Sequence, residues 1–347
     1  MTNETRRISL FDNSRISSFK SCPRMYLFEH VYHWRPEEKS VALTFGTAWH
    51  AAQDAIWRSA TALKSPDKST KRAIVDSAYE AFVTAWTADG LPPPDELSPD
   101  DLEQLSPRTP QIAREMFHGY IDAREHIFSD PSFAVLAIEQ PFAVPLSPDD
   151  PTLFYVGRLD KIFEYRKQVL VGEHKTTTSY KKGGPFRSDF IDGFAVSAQI
   201  DGYVYALKHQ YRERAAGVWV DAALVHKTEH AGFKFLPESR SDEHLDSWLW
   251  ETMNWIDSIQ GNIAALRERA ADSTEYLAAF PRNTNSCLQY GRCKFLDICR
   301  VVANPARLDG PPMGYKIDPW SPFSIMKLEK LGFTVENTHE PLKGEQP

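Results

Sequence analysis

The stretch of sequence that decides the fold is Gly157-Arg158-Leu159-Asp160, with Val171-Gly172-Glu173-His174-Lys175 shortly after it. Strand-forming residues lead into both pieces, Leu153–Val156 before the first and Val169–Val171 before the second. The sequence therefore predicts two β-strands joined by a turn. Side chains two residues apart on a strand leave the same face, so Glu173 and Lys175 are expected to lie together.

Two acidic side chains and one basic side chain are thus expected to meet on this strand pair. The carboxylates of Asp160 and Glu173 are the oxygen ligands that Mg²⁺ prefers. An amine such as that of Lys175 can orient a water molecule or hold a developing negative charge. The combination suits hydrolysis of a phosphodiester. A surface hairpin with solvated charges would show the same pattern, so the rest of the chain must decide between the two interpretations.

The composition is that of an ordinary soluble globular protein. The chain has 347 residues, of which 42% are hydrophobic and 25% are charged. That is enough for one large domain or two modest ones with a full core. The sequence has no apolar run of transmembrane length, and residues 1–7 precede no apolar core of a signal peptide. We therefore expect a cytoplasmic protein.

The net charge of −7 argues against a protein that coats nucleic acid with its whole surface. A local basic cleft remains compatible with it. Basic residues beyond the strand pair are candidates for phosphate contacts, which give an affinity that depends on salt and not on base sequence. These residues are Lys181, Lys182, Lys208 and Arg212.

The four cysteines are one early residue, Cys22, and three evenly spaced late ones, Cys287, Cys293 and Cys299. A reducing cytoplasm makes structural disulfides an unfavoured interpretation. Zinc sites usually contain close cysteine pairs, which this chain lacks. Four cysteines are also the ligand set of a [4Fe–4S] cluster. Iron–sulfur ligation, unligated thiols and zinc therefore all stay open on spacing alone. A shared cluster would link the N-terminal segment to the C-terminal one.

Apolar periodicity predicts helices in the first part of the chain and strands near its middle. Strands after helices, with a further helix packed back, indicate an α/β fold with a mixed central sheet flanked by helices. The predicted helices are about 14–32, one opening at Phe45, 71–86, 111–126, 197–211 and 242–267, and the predicted strands are 134–138, 153–160, 169–173, 217–225 and 233–235. We expect one domain over residues 1–300, followed by a loosely packed tail over 301–347. Within the domain we expect a helical part over about 14–128, with an exposed acidic connection at Pro92–Glu103, a core over about 133–236, and a C-terminal helix and cysteine loop over about 242–300.

Taken together, these motifs resemble those of the RecB-like nucleases of the PD-(D/E)XK superfamily. The chain looks most similar to their iron–sulfur branch, which includes the CRISPR-associated RecB-like exonucleases and the AddB nuclease domain. The matching motifs, in order, are Ser17–Tyr26, Phe45–His50, Gly157–Asp160 with Glu173–Lys175, Gln199–Tyr203 and the C-terminal cysteine trio. Leu159 stands where the superfamily name has proline, a change that RecB-like members often show.

The resemblance implies a restriction-endonuclease-like core and a role for each matching residue. Asp160, Glu173 and His50 would hold Mg²⁺ or Mn²⁺ with the backbone carbonyl of His174, and Lys175 would act on the attacking water or on the charge at phosphorus. Gln199 and Tyr203 would contact the DNA backbone or hold Lys175 in position. Cys22, Cys287, Cys293 and Cys299 would hold a structural [4Fe–4S] cluster.

We therefore predict a metal-dependent DNA nuclease, an exonuclease on single-stranded DNA or duplex ends, in recombination, repair or CRISPR-adaptation-like processing. The alternative is a non-catalytic DNA-binding or assembly subunit with the same fold. A degenerate subunit of that kind would be expected to lose Asp160, Glu173 or Lys175, and this chain has all three. A third interpretation is an interaction module that is active only with other recombination or CRISPR adaptation proteins.

Overall fold

The computed structural model describes residues 8–180, 186–268, 273–289 and 291–319. The chain forms two compact units, each assembled from segments that are distant in sequence. Unit 1 comprises Met1–Glu38, Pro141–Gly157 and Asp242–Pro347, and unit 2 comprises Lys39–Gln140 and Arg158–Ser241. Within the described ranges, no helix is both long enough and apolar enough to cross a membrane.

Helices and strands are numbered along the chain. The strands are β1 (Ser9–Phe11), β2 (Trp34–Pro36), β3 (Ala134–Pro145), β4 (Leu153–Tyr165), β5 (Gln168–Thr177), β6 (Ala215–Leu224), β7 (Phe233–Glu238) and β8 (Tyr315–Ile317). The α-helices are α1 (Asn13–Ser21), α2 (Pro23–Tyr26), α3 (Val41–Arg58), α4 (Lys68–Ala88), α5 (Pro99–Leu105), α6 (Pro110–Phe128), α7 (Ser188–Ala195), α8 (Ala198–Tyr211), α9 (Asp242–Glu268) and α10 (Leu296–Val301).

Unit 2 is built on a mixed sheet with the strand order β4–β5–β6–β7. Strand β5 is antiparallel to β4 and parallel to β6, and β6 is antiparallel to β7. A parallel pair needs a crossover connection, and the segment between β5 and β6 contains α8, which packs on both strands. The predicted α/β class with a mixed central sheet flanked by helices is confirmed.

A tight turn sets the register of β4 against β5. Its two residues, Arg166 and Lys167, have positive φ angles of 50° and 68°. This two-residue geometry matches the twist of the strands, although asparagine and glycine adopt it more easily. The pairing runs from Tyr165 opposite Gln168 to Lys161 opposite Gly172. Continued by one residue, the same register places Asp160 opposite Glu173.

Helices α3, α4 and α6 pack around an aromatic core in unit 2. Helix α3 begins after Ser40, whose side chain accepts a hydrogen bond from the Leu43 amide. The Trp49 ring on α3 lies 5.3 Å from the Phe117 ring on α6. The core face of α3 follows the three-and-four spacing of an amphipathic helix, with buried residues Phe45, Ala48, Trp49, Ala52 and Ile56.

In unit 1, β1 pairs in parallel with the start of β4, and β2 pairs with β8 in antiparallel fashion. The long helix α9 packs on α1. The Phe19 ring of α1 meets the Trp255 ring of α9 edge-on at 6.5 Å. The β2–β8 pair joins residues from the two ends of the described chain.

The prediction of one continuous helix over 14–32 is wrong. Helix α1 ends at Ser21, Cys22 is extended with a φ of −162°, and α2 starts at Pro23. Proline disfavours helical backbone in the residue before it and cannot donate the backbone hydrogen bond of a continuing helix. A π-helical turn, Leu27–Val31, then completes the segment. The break therefore lies at the cysteine itself.

Two other predicted regions contain regular structure. The acidic connection at Pro92–Glu103 leads into α5, which has no buried residue and begins with a capping box at Ser98. The region predicted as a tail contains a short 3₁₀ helix, Pro305–Arg307, and strand β8. Residues 320–347 of that region lie outside the described residues.

Candidate metal centre

Helix α3 brings His50 to the Asp160 carboxylate on β4. The Nδ1 atom of His50 lies 3.1 Å from Oδ2 of Asp160, and the His174 backbone amide donates to the same oxygen at 3.0 Å. Burial opposes charge on both partners, but their mutual attraction outweighs it. The pKa of Asp160 is therefore lowered and that of His50 is raised. The carboxylate is ionised and held in place from two sides.

Glu173 on β5 lies in a second polar group with Lys175 and two side chains of α8. Its Oε1 atom accepts hydrogen bonds from Lys175 Nζ at 2.5 Å and from Gln199 Nε2 at 3.2 Å. Gln199 Nε2 also donates to the Tyr203 hydroxyl at 2.9 Å. The Oε2 atom of Glu173 is buried and has no hydrogen-bond partner among the described residues. Burial, together with the nearby Asp160 carboxylate, raises the pKa of Glu173 to about 7.

Glu139 on β3 is a further candidate ligand that the sequence motifs do not indicate. Ligand atoms of His50, Glu139 and Asp160 all lie within 4.8 Å of one another. Glu139 has a positive φ of 55°, which is rare for a residue with a long side chain and is often found at functional sites. Arg158 Nη1 pairs with it at 2.5 Å. No spacing motif marks this residue, although β3 directly precedes β4 in the chain.

One turn after His50, α3 makes a second contact with β4. The Asp54 carboxylate pairs with the ammonium group of Lys161, the residue after Asp160, and Lys161 is fully buried. Arg58 Nη2 also lies 3.4 Å from Asp54 Oδ2. Helix α3 therefore forms ion pairs with two consecutive residues of β4. The sequence motifs do not indicate the second of these pairs.

A buried ion pair lies beside β5, on the face of the strand that carries the His174 ring. Asp221 of β6 accepts a hydrogen bond from Tyr120 at 2.5 Å and pairs with Arg124 at 2.5 Å. His174 Nδ1 lies 3.4 Å from Asp221 without forming a hydrogen bond. Although burial alone would raise it, Arg124 and His174 lower the pKa of Asp221 to about 2. The buried Asp221 carboxylate therefore lies beside the ring of His174, the residue whose backbone amide donates to Asp160.

Of the four predicted basic DNA contacts, two lie at the end of α8 and two lie outside the described ranges. Lys208 donates to the Arg240 carbonyl oxygen at 3.3 Å, and Arg212 is exposed at the end of α8 with a φ of 53°. At 1.5 Å per residue, the helix separates Lys208 from Gln199 by about 14 Å. Lys181 and Lys182 lie outside the described residues.

In unit 1 the four cysteines line one cavity of about 390 Å³. The Asn283 backbone amide donates to Cys22 Sγ at 3.3 Å, so the early cysteine meets the C-terminal segment directly. Burial raises the pKa of Cys299 to about 11. A free thiol there stays protonated and is a poor nucleophile. Among the described residues, the cysteine sulfurs form no set of three within 4.8 Å of one another.

Comparison with known proteins gives one family. The model of the PD-(D/E)XK nuclease superfamily matches residues 13–300, which include the metal-centre residues and all four cysteines. No curated protein matches the chain.

Proposed function

The chain belongs to the PD-(D/E)XK nuclease superfamily, whose members are nucleases that use divalent metals, and we propose that it is a Mg²⁺- or Mn²⁺-dependent deoxyribonuclease. We propose further that it acts as an exonuclease on single-stranded DNA or duplex ends. The observation that carries the proposal is that Asp160, paired with His50, and Glu173, paired with Lys175, lie opposite each other in the register of β4 and β5, close enough for Asp160 to raise the pKa of Glu173. Recombination, repair or CRISPR-adaptation-like processing, with partners from those systems, stays a prediction of the motif resemblance, as does a cytoplasmic location.

The donor set fits a hard divalent ion. His50, Glu139 and Asp160 offer one nitrogen and two carboxylate ligands in a small volume, and Glu173 offers a buried oxygen with no other described partner. Oxygen ligands with few nitrogen ligands suit Mg²⁺ and Mn²⁺. We assign Asp160, Glu173, His50 and the His174 carbonyl as ligands, and Glu139 as an additional one. The ion would supply Lewis acidity that polarises the scissile phosphate and favours ionisation of the attacking water.

The remaining side chains act on position and charge. Lys175, an ammonium group partly exposed beside Glu173, would orient the attacking water or stabilise the added charge on phosphorus. Gln199 holds Glu173 Oε1 and thereby keeps the carboxylate aligned. Tyr203 accepts a hydrogen bond from the same amide and fixes its orientation. We therefore favour a positioning role for this pair over direct contact with DNA.

Purified protein incubated with end-labelled linear and circular single-stranded DNA tests this function. Degradation should require Mn²⁺ or Mg²⁺ and stop with a chelator, and attack on linear DNA alone would support exonuclease action. Asp160→Asn, Glu173→Gln and Lys175→Met should each lower the rate by at least about a hundredfold. Glu164→Gln removes a carboxylate from the same hairpin, where Glu164 pairs with Arg214, and should leave the rate unchanged. Wild-type rates in the first three variants would exclude the assignment.

The metal ligands have their own signature. His50→Ala and Glu139→Gln should raise the Mn²⁺ concentration needed for half-maximal rate, and excess Mn²⁺ should restore part of the rate because mass action offsets lost affinity. If Glu139→Gln responds to Mn²⁺ as the wild type does, Glu139 is only the partner of Arg158.

We propose that the cysteine cavity holds a [4Fe–4S] cluster ligated by Cys22, Cys287, Cys293 and Cys299. A single zinc ion with bonds of about 2.3 Å would need its thiolates roughly 4 Å apart. Among the described residues, no three of the cysteine sulfurs lie within 4.8 Å of one another. A four-iron cube bonds each thiolate to a different iron and separates the sulfurs more widely. The high pKa of Cys299 also argues against a catalytic thiol.

A further inference from the structure

Helix α3 has an open face that ends at the candidate metal centre. His50 lies on this face with 31% of its side chain exposed, and Leu43, two turns earlier, is 68% exposed. Between them lies Gly46, one turn before His50. The opposite face of the helix, by contrast, is fully buried in the core.

Among the described residues, no neighbour packs closely enough on Gly46 to require glycine there. A Cβ atom added there would meet no described atom within 4 Å. By contrast, a Cβ at Gly119 or Gly217 would come within 2.2 Å of a backbone oxygen, so the fold itself requires glycine at those positions. Glycine is also unfavourable inside a helix relative to alanine. The residue therefore weakens α3 without relieving any contact among the described residues.

The direction of helical side chains shows what a larger residue would obstruct. Residues four apart on a helix are surface neighbours, and side chains lean toward the helix N-terminus. A side chain at position 46 would therefore stand over Leu43, and the His50 side chain leans toward it from one turn further along the helix. His50 contacts Asp160, so this space adjoins the proposed metal ligands.

We infer that Gly46 keeps a path open for the sugar–phosphate backbone of a DNA single strand as it reaches the metal centre. The inference rests on the proposed nuclease function and adds a residue that determines substrate access. The exposed Leu43 offers an apolar surface to a sugar or base along that path, while the metal ligands and Lys175 meet the phosphate. Gly46 itself makes no side-chain contact with the DNA. Its role is to leave the space beside the helix empty, so that the strand can pass.

The test compares Gly46 with a second glycine that also lies inside a helix and has no described atom close to an added Cβ. Gly261 also lies inside a helix, α9, with no described atom within 4 Å of an added Cβ. Gly46→Ala, Gly46→Gln, Gly261→Ala and Gly261→Gln should all fold, and the alanine variants should unfold at slightly higher temperature than the wild type. The measurements are the melting temperature, KM and kcat on a single-stranded oligonucleotide, and the Mn²⁺ concentration for half-maximal rate.

We expect Gly46→Ala to raise KM about threefold and Gly46→Gln at least about tenfold, with kcat and the Mn²⁺ requirement close to wild type. Both Gly261 variants should keep the wild-type KM. An unchanged KM in Gly46→Gln would overturn the inference, as would loss of stability in Gly46→Ala or a parallel change in the Mn²⁺ requirement. Those results differ from failure of the proposed function, in which the wild type itself degrades no DNA and the inference falls with it.

Discussion

Glu173 is the residue with the strongest electrostatic conflict in the candidate site. It is buried next to the ionised Asp160, and only one of its two carboxylate oxygens has hydrogen-bond donors. Burial and the neighbouring charge raise its pKa to about 7. A divalent ion would relieve this conflict by pairing with both carboxylates, so proton and metal compete for the same oxygen.

The pH dependence of the rate follows from that competition. At limiting Mn²⁺ the rate should rise with pH through about 7, because protonated Glu173 cannot act as a ligand. Raising the Mn²⁺ concentration should move the midpoint of the rise to lower pH, since the metal displaces the proton. Rate profiles at several Mn²⁺ concentrations measure both effects. A midpoint that does not respond to Mn²⁺ would remove Glu173 from the ligand set.

Raised pKa at Glu173 also has a consequence for the metal-free protein. A carboxyl group whose folded pKa exceeds its unfolded value binds more protons in the folded state. The metal-free protein should therefore lose stability as pH rises from about 4 to 7 through this group, and bound metal should reverse the loss.

The contact of α3 with β4 makes two neighbouring ion pairs from one helix turn. His50 holds Asp160, and Asp54 holds Lys161. The first pair belongs to the proposed chemistry, whereas the second neutralises an ammonium group that is fully buried. The second pair therefore fixes the position of α3, and with it the position of the imidazole.

Removing one partner of the buried pair should be costly. Asp54→Ala leaves the Lys161 charge buried and without its main partner, and should lower the free energy of unfolding by about 3–5 kcal/mol. The double variant Asp54→Ala/Lys161→Met removes both charges and should recover most of that loss. Urea unfolding of the two variants beside the wild type measures the difference. Equal stability of the single and double variants would show that the ion pair is not what secures α3.

Helices and strands could be predicted where neighbouring residues determine them, through propensity or spacing. Features that depend on contacts between different elements could not be predicted. The strand-forming residues before Asp160 and Glu173 predict the existence of β4 and β5, because strand propensity is local, but both strands run past the predicted ends at 160 and 173 to Tyr165 and Thr177. The helix break at Cys22 was missed although Pro23 signals it, because the apolar spacing continues across the break. Glu139 could not be found, because its role depends on the pairing of β3 with β4.

At the scale of the whole chain, unit 1 combines the first described residues with the last described ones. Short elements make these connections, including the β2–β8 pair and the contact of Asn283 with Cys22. The buried Arg24 adds a further link by donating to the Phe280 carbonyl at 3.0 Å. The cysteine motif predicted that these segments would meet, and the shared cavity agrees with that expectation. Ligation of a metal group would add binding energy to a unit held by few long elements.

Replacement of Cys22 tests whether a cluster supplies that link. Anaerobically purified wild-type protein should be brown and contain close to four iron and four sulfide per chain, as a cube with four thiolates requires. Cys22→Ala should lose the colour as completely as Cys287→Ala, Cys293→Ala or Cys299→Ala, although it lies at the other end of the chain. The variant should also unfold at lower temperature and be cleaved faster by proteases within unit 1, because binding to the folded unit no longer stabilises it. Ser21→Ala, at a residue lining the same cavity, is the matched control and should keep both iron and stability. A brown, stable Cys22→Ala protein would rule out the four-cysteine site. Finding zinc and no iron in the anaerobically purified wild type would show that the cysteines bind zinc and not an iron–sulfur cluster.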